Sequence, residues 1–186
     1  MTLSTLLVLG GARSGKSRYA EQRAEAETGA LVYIATGQAF DAEMEERIAH
    51  HRADRGNRWR TVEAPLALPD AIQAEAAPDR VLVVDCLTLW ASNLMLADHD
   101  IEAEAATLAA CIRDVQGRLI FVSNEVGLGI VPDNALARRF RDVAGRINQT
   151  TARAVDEAVF VAAGLPLMLK TAGPNSGSAA PQTALD

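Results

Sequence analysis

The stretch "TLLVLGGARSGKS", Thr5–Ser17, decides the fold. Its opening run, Thr5–Leu9, is apolar without alternation, as in a strand buried on both faces. Glycines then end it, and residues 10–17 satisfy G-x-x-x-x-G-K-[ST] with Gly10, Gly15, Lys16 and Ser17. A helix-compatible segment, "KSRYAEQRAEAE", follows. The pattern alone has chance matches, and a Gly-rich turn is the alternative, but the strand–loop–helix context selects a phosphate-binding loop. Glycines permit the tight turn, while exposed backbone N–H groups and the helix N-terminus receive phosphate oxygens. Lys16 is placed to reach β- and γ-phosphates, and Ser17 to ligate Mg²⁺.

Working outward, further apolar runs read as buried strands: Leu31–Ala35, Val81–Asp85, Leu119–Ser123, Val159–Ala163 and Leu167–Lys170. Segments with helical spacing separate most of them. Such alternation predicts an α/β fold, a mostly parallel central sheet with helices on both faces. One domain is expected over residues 1–170. The stretch from Thr171 to Asp186, rich in Gly, Pro, Ser and Ala, offers little to bury and reads as a flexible tail.

Composition narrows the function. The chain has 186 residues, a formal net charge of −6 and a pI near 5.1, which disfavours nucleic acid and anionic membranes. Aromatics are only 4%, so Ala, Val, Leu and Ile must form the core. Cys86 and Cys111 make no disulfide framework, and no CxxC pair exists for zinc. No apolar run approaches the ~20 residues of a membrane span, and the N-terminus lacks the basic region of a signal peptide. A cytoplasmic location is expected. A homo-oligomer is also expected, and the Ala-rich helix Ile101–Val115 packs either internally or against a second subunit.

Two features extend the chemistry beyond the loop. Asp85 closes "VLVVDC" at the C-terminal end of a strand, where ligands collect in open α/β sheets. It reads as the acidic partner of a Mg²⁺–phosphate site, or as the N-cap of the helix after it. The segment Asp41–Gly56 reads as a helix carrying two of the three histidines, His50 and His51. At ~100° per residue, Met44, Ile48, His51 and Arg55 share one stripe and His50 lies aside. Adjacent helical residues diverge, so the pair cannot chelate one metal ion. His51 is then either a partly buried histidine satisfied by a neighbour or a nucleophile attacking phosphorus. Arg47, Arg52, Arg55 and Arg58 would supply the cations for an anion site.

Taken together, "GGARSGKSRYAE", "YIATGQAFDAEMEERIAHHRADR", "WRTVEAP", "VVDCLTLWASNL", "VSNEVGLGIVPDNALARRFRDVAGRINQ" and "VAAGLPLMLK" resemble the bifunctional adenosylcobinamide kinase / adenosylcobinamide-phosphate guanylyltransferase family of cobalamin biosynthesis. They run from about Leu6 to Lys170, and "SNEVGLGIVP" is more specific than the phosphate loop. The resemblance implies a P-loop NTPase-like fold, Mg²⁺, and GTP and ATP as substrates. It also implies a corrinoid acceptor, phosphorylated first and then given GMP through a guanylylated histidine, which maps to His51. By the same resemblance, nucleotide contacts map to Gly10, Gly11, Ala12, Arg13, Ser14, Gly15, Lys16 and Ser17. Ala35, Thr36, Gly37, Arg52, Ala53, Asp54, Arg55, Glu63 and Asp85 complete that set. Lys16 and His51 are the implied catalytic residues, and Ser17 and Asp85 the metal ligands. Asn124 and Glu125 are expected at the site rim, or else serve only loop structure. Asn148 and Gln149 receive no role. A single-activity P-loop kinase and a nucleotide-binding regulatory module remain the alternative readings.

Overall fold

A computed structural model describes residues 5–37 and 58–172. Seven strands form one sheet: β1 (Thr5–Gly10), β2 (Ala30–Ala35), β3 (Trp59–Glu63), β4 (Arg80–Asp85), β5 (Arg118–Asn124), β6 (Glu157–Ala162) and β7 (Leu165–Lys170). Their spatial order is β3-β2-β4-β5-β1-β6-β7, with every neighbouring pair parallel except β6–β7. The expected strands are all present within a residue or two. The sequence reading missed β3, "WRTVE", because an edge strand with only half-buried and exposed residues carries no continuous apolar run.

Among the described residues, five helices cover the sheet: α1 (Lys16–Glu25), α2 (Leu68–Glu75), α3 (Leu87–Leu96), α4 (Ile101–Asp114) and α5 (Ala135–Ala154). Strand alternation divides the core in two. Leu6, Val8, Tyr33, Val81, Val83, Ile120 and Val122 pack with Ala20 and Ala24 of α1. Leu7, Val32, Ile34, Leu82, Val84, Leu119 and Phe121 pack on the opposite face, under α2 to α5. There α3 is apolar nearly all round, and its Trp90 is fully buried with its indole N–H donated to the Leu66 carbonyl at 2.8 Å. A helix covered by other helices as well as by the sheet needs no polar face.

Helix α4 begins where the sequence placed it, capped by the Asp100 carboxylate accepting from the Glu102 and Ala103 amides. It packs on α3 and α5, so its Ala-rich face finds partners within the chain. At the far edge all six residues of β7 are exposed, including Leu165, Leu167 and Leu169. No described helix is long and apolar enough to cross a membrane.

Candidate active site

Because β1 to β6 all run in one direction, their C-terminal ends share one edge of the sheet. The sequence-selected residues that are described lie along it in strand order. Glu63 ends β3, Ala35 ends β2 with Thr36 and Gly37 after it, Asp85 ends β4, and the Gly10–Ser17 loop follows β1. At ~4.8 Å per strand, β3 and β1 stand about 19 Å apart. His51, Arg52, Ala53, Asp54 and Arg55, with the helix expected over Asp41–Gly56, lie outside the described residues, as does the tail beyond Ala172.

The loop is shaped for an anion. Arg13 and Gly15 have φ of 55° and 95°, which turns successive peptides inward as in an anion-binding nest. Among the described residues, the N–H groups of Arg13, Gly15, Lys16 and Ser17 donate to no protein acceptor. They stand at the N-terminus of α1, so backbone donors and helix dipole favour the same charge. Lys16 folds over the loop, its Nζ donating to the Gly11 carbonyl at 3.3 Å. The Ser14 hydroxyl is buried and has no partner among the described residues.

Two glycines are required by close approach. A Cβ on Gly10 would lie 2.5 Å from Ser14 Oγ and 2.6 Å from the Val161 carbonyl. Gly15, at positive φ, has Gly164 Cα only 3.3 Å from where its Cβ would stand. That contact comes from the tight β6–β7 turn, in which Ala163 and Gly164 both have positive φ. The Gly164 N–H donates to the Ser14 carbonyl at 2.8 Å, so the hairpin tip buttresses the loop from outside.

Asp85 does not cap α3. The cap position belongs to Cys86, which makes no side-chain cap bond, and the Asp85 carboxylate accepts from the Tyr33 hydroxyl at 2.8 Å. The alternative reading of Asp85 as an N-cap is therefore not what the structure holds. Tyr33 occupies one carboxylate oxygen and the second still has acceptor capacity. Ser17 and Asp85 together offer a hydroxyl and a carboxylate, hard oxygen donors that suit Mg²⁺, which keeps several waters and bridges to phosphate. That donor set fits the ion.

Thr36 and Cys86 form a knot between β2 and β4. Thr36 Oγ1 donates to the Cys86 carbonyl at 2.7 Å and accepts from the Cys86 N–H at 2.8 Å. The Thr36 N–H donates to the Asp85 carbonyl at 3.1 Å, and its carbonyl accepts from the Asn93 amide at 2.8 Å. Thr36 is fully buried, so its side chain sets the position of Gly37 and Asp85 instead of facing a ligand. Burial, with Asp85 next to it, pushes the Cys86 thiol up to about 12, which keeps it protonated and unreactive.

Comparison with known proteins adds the family. The family model described as cobinamide kinase / cobinamide phosphate guanyltransferase matches residues 6–169. The chain belongs to this family. It is 52% identical over 167 residues to the bifunctional adenosylcobalamin biosynthesis protein CobP of Pseudomonas aeruginosa, covering 88% of this chain and 96% of that one. It is 41% identical over 180 residues to the corresponding protein CobU of Escherichia coli K12, covering 89% and 99%. A solved structure from Pyrococcus horikoshii OT3 aligns with a TM-score of 0.52 at 10% identity, over 92% of this chain and 88% of that one, a likeness of fold alone.

Within this cobinamide kinase / guanyltransferase chain, one cluster escaped the sequence reading. Ser123 Oγ donates to Asn148 Oδ1 at 2.6 Å and lies 3.2 Å from Thr88 Oγ1. Asn148 Nδ2 donates to the Asn124 carbonyl at 3.1 Å. Asn148, read from sequence as one more residue of a helix, is in fact buried and bonded to the rim. The signal available was a short polar residue on the apolar stripe of α5, between Val143, Ala144, Ile147 and Thr151. Glu125, expected at the rim or else in loop structure, donates its N–H to the Gly10 carbonyl at 3.0 Å, and its carboxylate accepts from the Gly127 N–H of its own loop.

Proposed function

We propose that this chain phosphorylates adenosylcobinamide with ATP or GTP, and then transfers GMP from GTP to adenosylcobinamide phosphate in the cytoplasm. Family membership supports the pair of activities. The observation that carries the nucleotide site is the row of residues on one sheet edge, from an amide-lined loop at β1 to Glu63 at β3. A nucleoside triphosphate laid along that edge has its phosphates at the loop and Asp85, and its base towards Glu63, whose carboxylate can accept from a guanine amino group.

In the kinase step the acceptor hydroxyl oxygen attacks the γ-phosphorus, and the bond to the bridging oxygen breaks to release the diphosphate. Lys16 and the loop amides hold the β- and γ-phosphates, and Ser17 and Asp85 would hold Mg²⁺. When bound, that ion neutralises charge on the phosphates. In the second step His51 attacks the α-phosphorus of GTP, expelling pyrophosphate and forming a phosphoramidate. An oxygen of the corrinoid phosphate then displaces the histidine and takes the GMP. Arg52 and Arg55 would neutralise the phosphates there.

The rim supports a place for the corrinoid. Directly after Glu125 the chain exposes Leu128 at 82%, Ile130 at 97% and Val131 at 60% of their surface. Exposed apolar side chains grouped beside a phosphate site suit a large, partly apolar acceptor such as a macrocycle. Incubation with α-labelled GTP followed by acid and base treatment tests the covalent step. An acid-labile, base-stable label on the wild type that is absent from His51→Ala supports it. A label retained in that variant refutes it, and turnover without any label points to a kinase of one activity.

A further inference from the structure

We propose that Asn124 is a phosphoryl-contacting residue of the kinase site and that Asn148 is its positioning residue; this rests on the kinase reading above. The argument begins with strand order. β5 lies between β1, which carries the loop, and β4, which ends in Asp85. At ~4.8 Å per strand, the end of β5 stands in the gap across which the transferred phosphate must sit. β5 also runs further than β4. Asp85 is paired with Val122, whereas Asn124 is level with Gly10.

Alternation then assigns the faces. Ser123 points towards α3 and α5, where it meets Thr88 and Asn148. Its neighbour Asn124 therefore continues the row of Ile120 and Val122, on the face that α1 covers. Asp85 is on that face as well, continuing Val81 and Val83 and bonded to Tyr33. The side chain of Asn124 thus shares a face with Asp85 and with the helix that opens at Lys16.

The main chain of Asn124 is held on every side. Past the end of β4 its N–H would have no strand to pair with, and it donates instead to Thr88 Oγ1 at 2.7 Å. Its carbonyl accepts from Asn148 Nδ2 at 3.1 Å, and the other end of that peptide, the Glu125 N–H, donates to Gly10 at 3.0 Å. One peptide unit is therefore clamped between α5 and the start of the loop. The Asn124 carboxamide takes part in none of these bonds. Its N–H can donate to a non-bridging γ-oxygen as the acceptor oxygen bonds to phosphorus, the diphosphate leaves with its electron pair, and the hydroxyl proton departs to water.

The test uses the full chain with γ-labelled nucleotide and adenosylcobinamide. Loss of one donor to a developing charge costs about 100-fold in kcat. Asn124→Ala is expected to show that loss, with the nucleotide KM within about threefold and the melting temperature unchanged. Asn148→Ala is expected to lower kcat by releasing Asn124, and the double variant to be no slower than Asn124→Ala alone, because residues acting as one unit are not additive. A kcat for Asn124→Ala within about threefold of wild type overturns the proposal. Multiplicative losses in the double variant overturn the positioning role. Should Asn148→Ala fail to fold, Asn124→Ala, which lies in no core cluster, carries the test alone. A wild type that does not phosphorylate cobinamide removes the functional reading instead, and slow GTP hydrolysis by wild type against Asn124→Ala then decides.

Discussion

Thr36→Val replaces one hydroxyl by a methyl of nearly the same shape, and its effect can be worked from the bonds it breaks. Thr36 Oγ1 is the partner of both the N–H and the carbonyl of Cys86, at 2.8 and 2.7 Å, in a site that is fully buried. The Cys86 carbonyl keeps the Trp90 N–H at 3.1 Å, so the variant orphans the Cys86 N–H alone, at a cost of about 1–3 kcal/mol. For a domain of this size each kcal/mol moves the melting temperature by about 2–4 °C, and the expected fall is ~6 °C. Thr36→Ser is the control. It keeps the hydroxyl and loses one methyl, costing about 1 kcal/mol and a fall of ~3 °C. Thermal melts followed by circular dichroism, with urea titrations beside them, measure both variants. Equal losses in the two would mean that packing alone matters at Thr36, and the account of the β2–β4 knot would be wrong.

Two further outcomes follow from the site. Leu128→Ser with Ile130→Ser is expected to raise the KM for adenosylcobinamide about tenfold, from ~1.4 kcal/mol of lost apolar contact, and to leave the nucleotide KM unchanged; an unchanged corrinoid KM removes that loop from the acceptor site. Cys86 is expected to make stability fall at alkaline pH. Burial raises its thiol from 9.0 to about 12, so the unfolded chain loses its proton first and stability drops as pH rises through that window. Urea midpoints from pH 8 to 10.5 should decline more steeply for wild type than for Cys86→Ala, and parallel slopes would contradict the assignment. Cys111, raised to about 11, adds a smaller slope of the same sign that is common to both proteins.

What could be read from the chain and what could not divides by the distance over which each signal acts. The loop at Gly10–Ser17 is local: strand, glycines, lysine and helix are contiguous, so the pattern carries its own context. The buried strands were legible for a similar reason, since a sheet covered on both faces leaves unbroken apolar runs such as "VLVVD". Edge strands lose that signature, and β3 was missed accordingly. The Thr36–Cys86 knot joins residues fifty apart, and the Asn148–Asn124 bond joins residues twenty-four apart. Nothing in either short segment announces its partner, because a Thr after a strand or an Asn in a helix has many ordinary explanations.

The same rule explains why Asp85 was ambiguous and how the fold resolves it. A strand-ending acid before a helix satisfies the capping pattern equally well, and only Tyr33, brought alongside by the β2–β4 pairing, shows where the carboxylate turns. Once that pairing exists, the edge gains its order: Glu63, Gly37, Asp85, Asn124 and the loop stand on successive strands. A sheet with a different strand order would keep every motif and scatter the residues. The site is therefore a property of topology first, and the motifs are the chemistry that this topology brings to one edge.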